Sequence, residues 1–176
     1  LVVLPFIAAL IITFAGKSLP LKGAEIALGT IGIIFIYSLA LMYLHVTEGV
    51  ANEFFINVGN IGQFDIEFGW VVDGLSIMMY FVVGLVALLV FIYATNYMEG
   101  EIRYTFFFTS LTLFAGSMLV LVSSPTLIQI LIGWELVGVC SYLLIGHYWE
   151  VKDNSSAAMK AFITNKIADV GLMIGI

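Results

Sequence analysis

Apolar residues occur along this chain in six long runs that are separated by short polar connections. A run of about 20 apolar residues is long enough to cross the hydrocarbon core of a bilayer as an α-helix. The pattern therefore predicts an all-α, polytopic bundle of about six transmembrane helices. We expect the first and last helices to be truncated, so that the chain is a piece of a longer membrane protein. The predicted helices span residues 1–14, 25–45, 75–97, 104–122, 125–148 and 157–176.

Capping residues locate two of the helix starts. Asp73 precedes the third run, and Ser76 lies three positions further on, which is the spacing of a side-chain N-cap. Before the fifth run, Ser124 is the expected N-cap, and Pro125 is expected at the first helical position, where proline is well tolerated.

The connection between the second and third helices, residues 46–70, is long and alternates between apolar and polar residues. Strict alternation is typical of a β-strand with one buried face. We predict a surface β-hairpin with its turn near Gly59 and Asn60 and with Phe64, Ile66 and Phe68 packed inward. A loop without regular structure is the alternative.

Composition supports the membrane assignment. The chain is 62% hydrophobic and 10% charged, with a mean hydropathy of +1.13. Soluble domains are about 45–50% apolar and about 25% charged, so they are excluded. The single cysteine, Cys140, lies inside an apolar run and is interpreted as a small buried hydrophobic residue.

Lysine and arginine predict the orientation of the helices. These residues occur in alternate connections, whereas the two intervening connections, 46–70 and 123–124, contain neither. The positive-inside rule places the basic connections in the cytoplasm, matrix or stroma, and the N-terminus on the opposite side. The basic residues are Lys17, Lys22, Arg103 and Lys152.

Three charged residues fall deep inside predicted helices. Glu135 lies near the middle of the fifth helix, and Lys166 and Asp169 lie in the sixth. A charge at the bilayer centre costs about 2.5–3.5 kcal/mol, so such residues usually belong to a proton or ion path. Glu135 lies nine residues from Thr126 and Lys166 nine residues from Ala157, which is about 13–14 Å at 1.5 Å per residue. Because the two helices enter a core of about 30 Å from opposite sides, both residues are expected near the midplane.

Two structural alternatives remain open for these charges. The alternative for Glu135 is a protonated, hydrogen-bonded carboxyl group that only joins two helices. The alternative for Lys166 and Asp169, which are three residues apart, is an intrahelical ion pair in which the two charges neutralise each other. Two acids and a base at similar depth nevertheless favour a relay in which each charge influences the protonation of its neighbours.

The sequence contains no recognisable redox or nucleotide motif. No G-x-G-x-x-G follows a strand, no C-x-x-C occurs, and the two histidines lack metal-ligand spacing. We therefore expect no cofactor in this chain, and in a redox machine the electrons would be carried by other subunits.

Several segments resemble the largest antiporter-like subunit of respiratory complex I, NADH–quinone oxidoreductase (subunit L, or subunit five in mitochondria). The resemblance extends from about Trp70 to the end and is compatible with the remainder. The segments are 72–76 (VDGLS), 97–98 (YM), 134–146 (WELVGVCSYLLIG) and 158–171 (AMKAFITNKIADVG).

The resemblance implies a fold of three leading helices followed by two inverted five-helix repeats. Residues 1–103 would hold the leading helices with the outer loop 46–70, and 104–176 would begin the first proton-translocating repeat. Glu135 would be the family's key membrane glutamate. Lys166 would replace a basic residue that is usually arginine, and Asp169 would be the acid near it.

The same resemblance implies the partners and the location. NAD, FMN, iron–sulfur clusters and quinone would lie in partner subunits, and the family's next lysine and its second half-channel would lie beyond residue 176. The partners would be other complex I membrane subunits and the bilayer, with no nucleic acid. We expect a multi-pass protein of a bacterial cell membrane, or else of an organellar inner membrane.

The alternative family is the related large subunit of multisubunit sodium/proton antiporters. The segment 137–142 favours complex I. A membrane module with a purely structural role is a third possibility, and the buried charges argue against it.

Overall fold

The computed structural model describes residues 1–49, 51–61 and 64–175. Within them the chain forms a bundle of six α-helices with one antiparallel β-hairpin between the second and third helices, as predicted. The helices are α1 (Leu4–Ala15), α2 (Ala24–Glu48), α3 (Gly74–Tyr97), α4 (Tyr104–Val122), α5 (Leu127–Ile145) and α6 (Lys152–Gly175). The strands are β1 (Asn52–Ile61) and β2 (Phe64–Val72).

Local residue chemistry explains the starts of α3, α5 and α6, and the last two begin at residues other than those predicted. Asp73 caps α3 as predicted, since its side chain accepts a hydrogen bond from the Ser76 amide at 2.7 Å. The predicted cap of α5 at Ser124 is wrong: Thr126 caps this helix and accepts from the Gln129 amide. Helix α6 begins at Lys152 rather than at residue 157, because the polar residues 153–156 form its first turns.

The hairpin is present, but its turn does not lie at the predicted position. Gly59 pairs with Ile66 and Asn60 with Asp65, so both residues belong to β1. The pairing register shifts between Asn57 and Gly59, where β1 has one residue more than β2. The glycine that predicted a turn therefore accompanies a β-bulge, a role that glycine also fills.

The predicted inward face of the hairpin is only partly described. Phe68 is half-buried. The side chains of Phe64 and Ile66 lie outside the described part of the structure, so their predicted burial stays a prediction.

Helix α4 lies at the centre of the bundle and packs against α1, α3 and α5, while α2 packs against α1 and α3. The core consists of large apolar side chains that are almost completely removed from solvent. They include Phe91, Phe108, Ile12, Ile31, Ile34 and Leu119.

The chain is a multi-pass integral membrane protein. Four helices, α2 to α5, are long and apolar enough to cross a membrane. Much of their surface is apolar and exposed in the isolated chain, as expected for faces that contact lipid or neighbouring subunits.

Candidate functional site

Helices α5 and α6 run antiparallel and contact each other from Trp134 to the C-terminal end of α5. The rings of Tyr142 and Phe162 lie 5.3 Å apart, and a Cβ on Gly146 would lie 3.4 Å from Ala158 Cβ. At the other end, Trp134 reaches Asp169. Helix α6 thus lies alongside α5, which is one of the four helices long and apolar enough to cross a membrane.

The three predicted site residues meet at this interface. Lys166 Nζ contacts Glu135 Oε2 in an interhelical ion pair. The same ammonium group lies 3.5 Å from Asp169 Oδ2 on its own helix. Lys166 is thus shared between two carboxylates. The Lys166–Asp169 ion pair considered from the sequence is formed, the direct contact between Glu135 and Lys166 was not predicted, and the prediction of similar depth for these two residues is confirmed.

The site lies near the middle of a spanning helix. The middle of α5 (Leu127–Ile145) falls at residue 136, next to Glu135. A Cβ added to Gly138 would lie 3.9 Å from Lys166 Nζ, an ordinary contact distance, so Gly138 borders the ammonium group. The earlier start of α6 does not alter this alignment, because interhelical contacts determine the depth of Lys166.

Sequence reasoning missed Trp134. Its indole Nε1 donates a hydrogen bond of 2.8 Å to Asp169 Oδ1 across the helix interface. The signal available in the sequence was the position of this tryptophan next to Glu135, far from the helix ends where aromatic residues usually anchor a membrane protein.

The three charged side chains differ in exposure. The side chains of Glu135 and Lys166 are 35% and 28% exposed in the isolated chain, and that of Asp169 is 8% exposed. Two carboxylates and one ammonium group can hold, accept and pass protons, because each charge alters the protonation of the others. Within the described residues, no three His, Cys, Asp or Glu side chains converge as metal ligands would.

A second ionic contact joins two of the three basic connections at one end of the bundle. Arg103 donates from Nη1 and Nη2 to the two carboxylate oxygens of Glu150, at 2.5 and 2.8 Å. The guanidinium also lies 4.3 Å from the ring of Trp149. The hydrogen bonds from Arg103 lower the pKa of Glu150 to about 2 and raise that of Arg103.

At the opposite end, the hairpin is attached to the α4–α5 connection. The buried Gln129 side chain exchanges two hydrogen bonds of 2.9 Å with the backbone N–H and C=O of Gly69. The Val71 amide donates to the Ser123 carbonyl at 3.0 Å. The outer edge of β2 is thereby joined to the helix that carries Glu135, a contact that the sequence pattern did not predict.

Two family models match the chain. Residues 59–108 match the N-terminal segment of chain 5 of NADH-ubiquinone oxidoreductase (complex I), and 124–176 match the transmembrane segment shared by NADH:quinone oxidoreductase and Mrp antiporters. The second match contains all three charged residues and Trp134.

The chain is similar in sequence to proteins named subunit 5 or chain 5 of NAD(P)H-quinone oxidoreductase. The chain is 37% identical to NAD(P)H-quinone oxidoreductase subunit 5 of the organellar chromatophore of Paulinella chromatophora, over 99% of this chain and 27% of that protein. It is 42% identical to chain 5 of Synechocystis sp., over 87% of this chain and 22% of that protein. The chain therefore spans about a quarter of the length of these relatives.

A solved structure shares the fold. A chain of the membrane-bound sulfane sulfur reductase, an archaeal respiratory membrane complex, superimposes with a TM-score of 0.81 at 12% identity. The match covers 99% of this chain and 35% of that one. With the family models and relatives in agreement, the chain belongs to the subunit 5 family of NAD(P)H-quinone oxidoreductase, the antiporter-like membrane subunits of complex I.

Proposed function

We propose that this chain is part of a proton-translocating membrane subunit of an NADH–quinone oxidoreductase. The observation that carries the proposal is the position of Lys166 Nζ between the carboxylates of Glu135 and Asp169, near the middle of a spanning helix. NAD, FMN, iron–sulfur clusters and quinone would be held by partner subunits, and their redox chemistry would drive the proton movement.

Electrostatics provides a mechanism for the Glu135–Lys166 pair. While the pair is closed, each group stabilises the charged form of the other. When a conformational or electrostatic change opens the pair, both charges lose their partner in a poorly solvated region, and the neutral forms become favoured. Lys166 can then release a proton and Glu135 can bind one, which moves a proton along the relay.

The Coulomb energy of the Glu135–Lys166 pair is large enough to change the protonation state of the two groups. Two unit charges 4 Å apart interact with about 4 kcal/mol at an effective dielectric constant of about 20. One pKa unit corresponds to about 1.4 kcal/mol, so separating the pair changes proton binding by orders of magnitude.

Substitution of Glu135 tests the proposal in the full complex. We expect Glu135→Gln to assemble and to retain the subunit but to translocate protons poorly, because the amide cannot ionise. Glu135→Asp should retain part of the activity, since the charge is kept on a shorter side chain. The measurement is the proton-to-electron ratio in sealed vesicles, with Glu99→Gln, an exposed glutamate outside the site, as the matched control.

A wild-type proton-to-electron ratio in the Glu135→Gln complex would show that Glu135 only joins two helices.

The related Mrp antiporter function is the second candidate, because one matched family model includes those proteins. Sodium-driven proton exchange in vesicles without an electron donor would favour the antiporter.

A further inference from the structure

The ammonium group of Lys166 contacts an aromatic ring as well as two carboxylates. Its Nζ lies 5.2 Å from the centroid of the Phe162 ring, one helical turn earlier on α6. This distance is within the range of a cation–π interaction, in which the negative face of an aromatic ring attracts a cation. The charged groups that face Lys166 are Glu135 from α5 and Asp169 from α6. Phe162 is thus a third partner of the ammonium group, and it is uncharged.

The geometry of an α-helix brings Phe162 and Lys166 together. Residues four apart lie on the same face, and helical side chains lean towards the N-terminus of their helix. Lys166 follows Phe162 by four residues, so its long stem leads towards that ring. Asp169 follows Lys166 by three residues and leans back towards it in the same way. The ammonium group therefore lies between the ring and the Asp169 carboxylate along α6.

The ring of Phe162 is held in place by the neighbouring helix. It lies 5.3 Å from the ring of Tyr142 on α5, at an interplanar angle of 54°. This separation is typical of packed aromatic pairs. Tyr142 lies seven residues after Glu135, so both side chains project from the same face of α5. Helix α5 supplies the carboxylate that binds Lys166 and also the ring that packs against Phe162.

We infer that Phe162 is a positioning residue that holds the ammonium group of Lys166 when its ion pair with Glu135 is open. The inference rests on the proposed function and adds a residue to the relay. The ring face attracts the protonated side chain, whereas a neutral amine lacks the charge on which the attraction depends. Phe162 therefore favours the protonated form of Lys166 at the step in which Glu135 no longer does so.

An uncharged partner is suited to this step. A carboxylate in the same place would attract the ammonium group more strongly and would oppose release of its proton. A cation–π contact is weaker than a close ion pair in a poorly solvated region. The ring can thus keep Lys166 near Glu135 and Asp169 without preventing the transfer of a proton.

Fluorinated phenylalanines test the inference in the assembled complex. One, two or three fluorine atoms on the ring of Phe162 withdraw negative charge from its face in steps, while the size of the ring changes little. The measurement is the proton-to-electron ratio in sealed vesicles as a function of pH. We expect the alkaline limb of this profile, where Lys166 is no longer reprotonated, to move stepwise to lower pH. With three fluorine atoms, the half-maximal ratio should require a proton concentration about 2- to 30-fold higher than in wild type.

Ordinary substitutions separate the electrostatics of the ring from its packing. Phe162→Leu should move the alkaline limb at least as far as three fluorine atoms do, because the ring is lost. Phe162→Tyr, which keeps an aromatic face, should restore the wild-type position of the limb. The matched control is the same fluorine series at Phe35 on α2, whose ring lies 5.8 Å from that of Phe81. The control series should leave the profile unchanged.

An alkaline limb at the same pH for every fluorinated ring at Phe162 would overturn the inference and leave the ring with a packing role alone. An equal shift in the Phe35 series would also overturn it. If Phe162→Leu does not assemble, the fluorine series still decides, since those rings retain the shape of phenylalanine. Failure of the proposed function has a different signature, because Glu135→Gln would then translocate protons at the wild-type ratio whatever the fluorine series shows.

Discussion

At the scale of single residues, the central feature is one lysine that serves two acids. Lys166 contacts Glu135 on the neighbouring helix and lies 3.5 Å from Asp169 on its own. Unpaired charges in hydrocarbon are expensive, so the pairing explains how all three can be present in the membrane. Because the two acids share one ammonium group, a change in the charge of either acid alters the electrostatic environment of the other.

Substitutions of Lys166 test whether proton translocation depends on the positive charge of this side chain. We expect Lys166→Ala to reduce proton translocation to well under half of wild type, because two carboxylates then face each other without a cation. Lys166→Arg should retain more activity, since the positive charge remains. Asp169→Asn should lower translocation without preventing assembly. Proton-to-electron ratios in vesicles measure these effects, with exposed Lys160→Ala as the control.

Equal translocation by Lys166→Ala and Lys166→Arg would contradict a role for the charge. Normal pumping by Asp169→Asn at normal expression would mean that Asp169 and Lys166 form only a structural pair.

The Arg103–Glu150 contact predicts a pH dependence outside the membrane span. The pKa of Glu150 is about 2 in the folded chain, below the ordinary value of 4.5. A lowered pKa means that the contact contributes stability above about pH 4.5 and loses it as the pH falls towards 2. We expect amide exchange in 150–153, corrected for its intrinsic pH dependence, to be slower in wild type than in Glu150→Gln at pH 5.

This difference should disappear as the pH falls through the range below 4.5. Because Glu150 is exposed, added salt should also weaken it. A difference that is independent of both pH and salt would show that the carboxylate charge plays no part.

At the scale of secondary-structure elements, the hairpin is joined to the helix that carries the site. Gln129 lies on α5 six residues before Glu135 and binds both backbone groups of Gly69 on β2. A Cβ on Gly69 would lie 2.1 Å from the Phe54 carbonyl oxygen, so the strands approach too closely there for any side chain. The N-terminal end of α5, the helix that carries Glu135, is therefore attached to the hairpin.

Substitution of Gln129 should release this attachment. Gln129→Leu has a similar size but leaves the Gly69 N–H and C=O without their side-chain partner, a loss of about 1–3 kcal/mol per unsatisfied buried group. We expect the Gly69 amide to exchange at least about tenfold faster, since tenfold corresponds to about 1.4 kcal/mol. Hydrogen exchange followed by mass spectrometry measures this rate, with exposed Asn96→Leu as the control. Unchanged exchange at Gly69 would contradict the attachment.

At the scale of the whole molecule, the connections gather at two ends. The Lys22 carbonyl accepts a hydrogen bond from Thr105, and Arg103 binds Glu150, so the basic connections contact one another. The hairpin contacts the α4–α5 connection and the first turn of α5 at the other end. This agrees with the alternation predicted from lysine and arginine, whereas the division at residue 103 into leading helices and repeat remains a prediction.

Impermeant thiol labelling tests which end faces outward. In a full-length protein without other cysteines, with Cys140 replaced by serine, we expect Asn57→Cys on the hairpin to react from outside. Glu99→Cys, at the basic end, should react only after permeabilisation, and both positions are exposed. The reverse pattern would show that the orientation is inverted.

The sequence by itself determined the membrane class and the six helices and indicated which charged residues are candidates for the site, because hydrophobic run length and the cost of buried charge act locally. The range of α4 and the Asp73 cap were predicted without error. The structure brings Glu135, Lys166 and Asp169 together, and their role in proton translocation stays a prediction. These features depend on properties that each segment carries regardless of its neighbours.

Tertiary structure alone decided how those residues are connected. The Trp134–Asp169 hydrogen bond joins residues 35 positions apart, and the Gln129–Gly69 contact joins residues 60 apart. The hairpin register, with its bulge in place of the predicted turn, was likewise set by pairing between strands. Such contacts depend on the packing and rotation of whole elements, which the periodicity of a single segment does not specify.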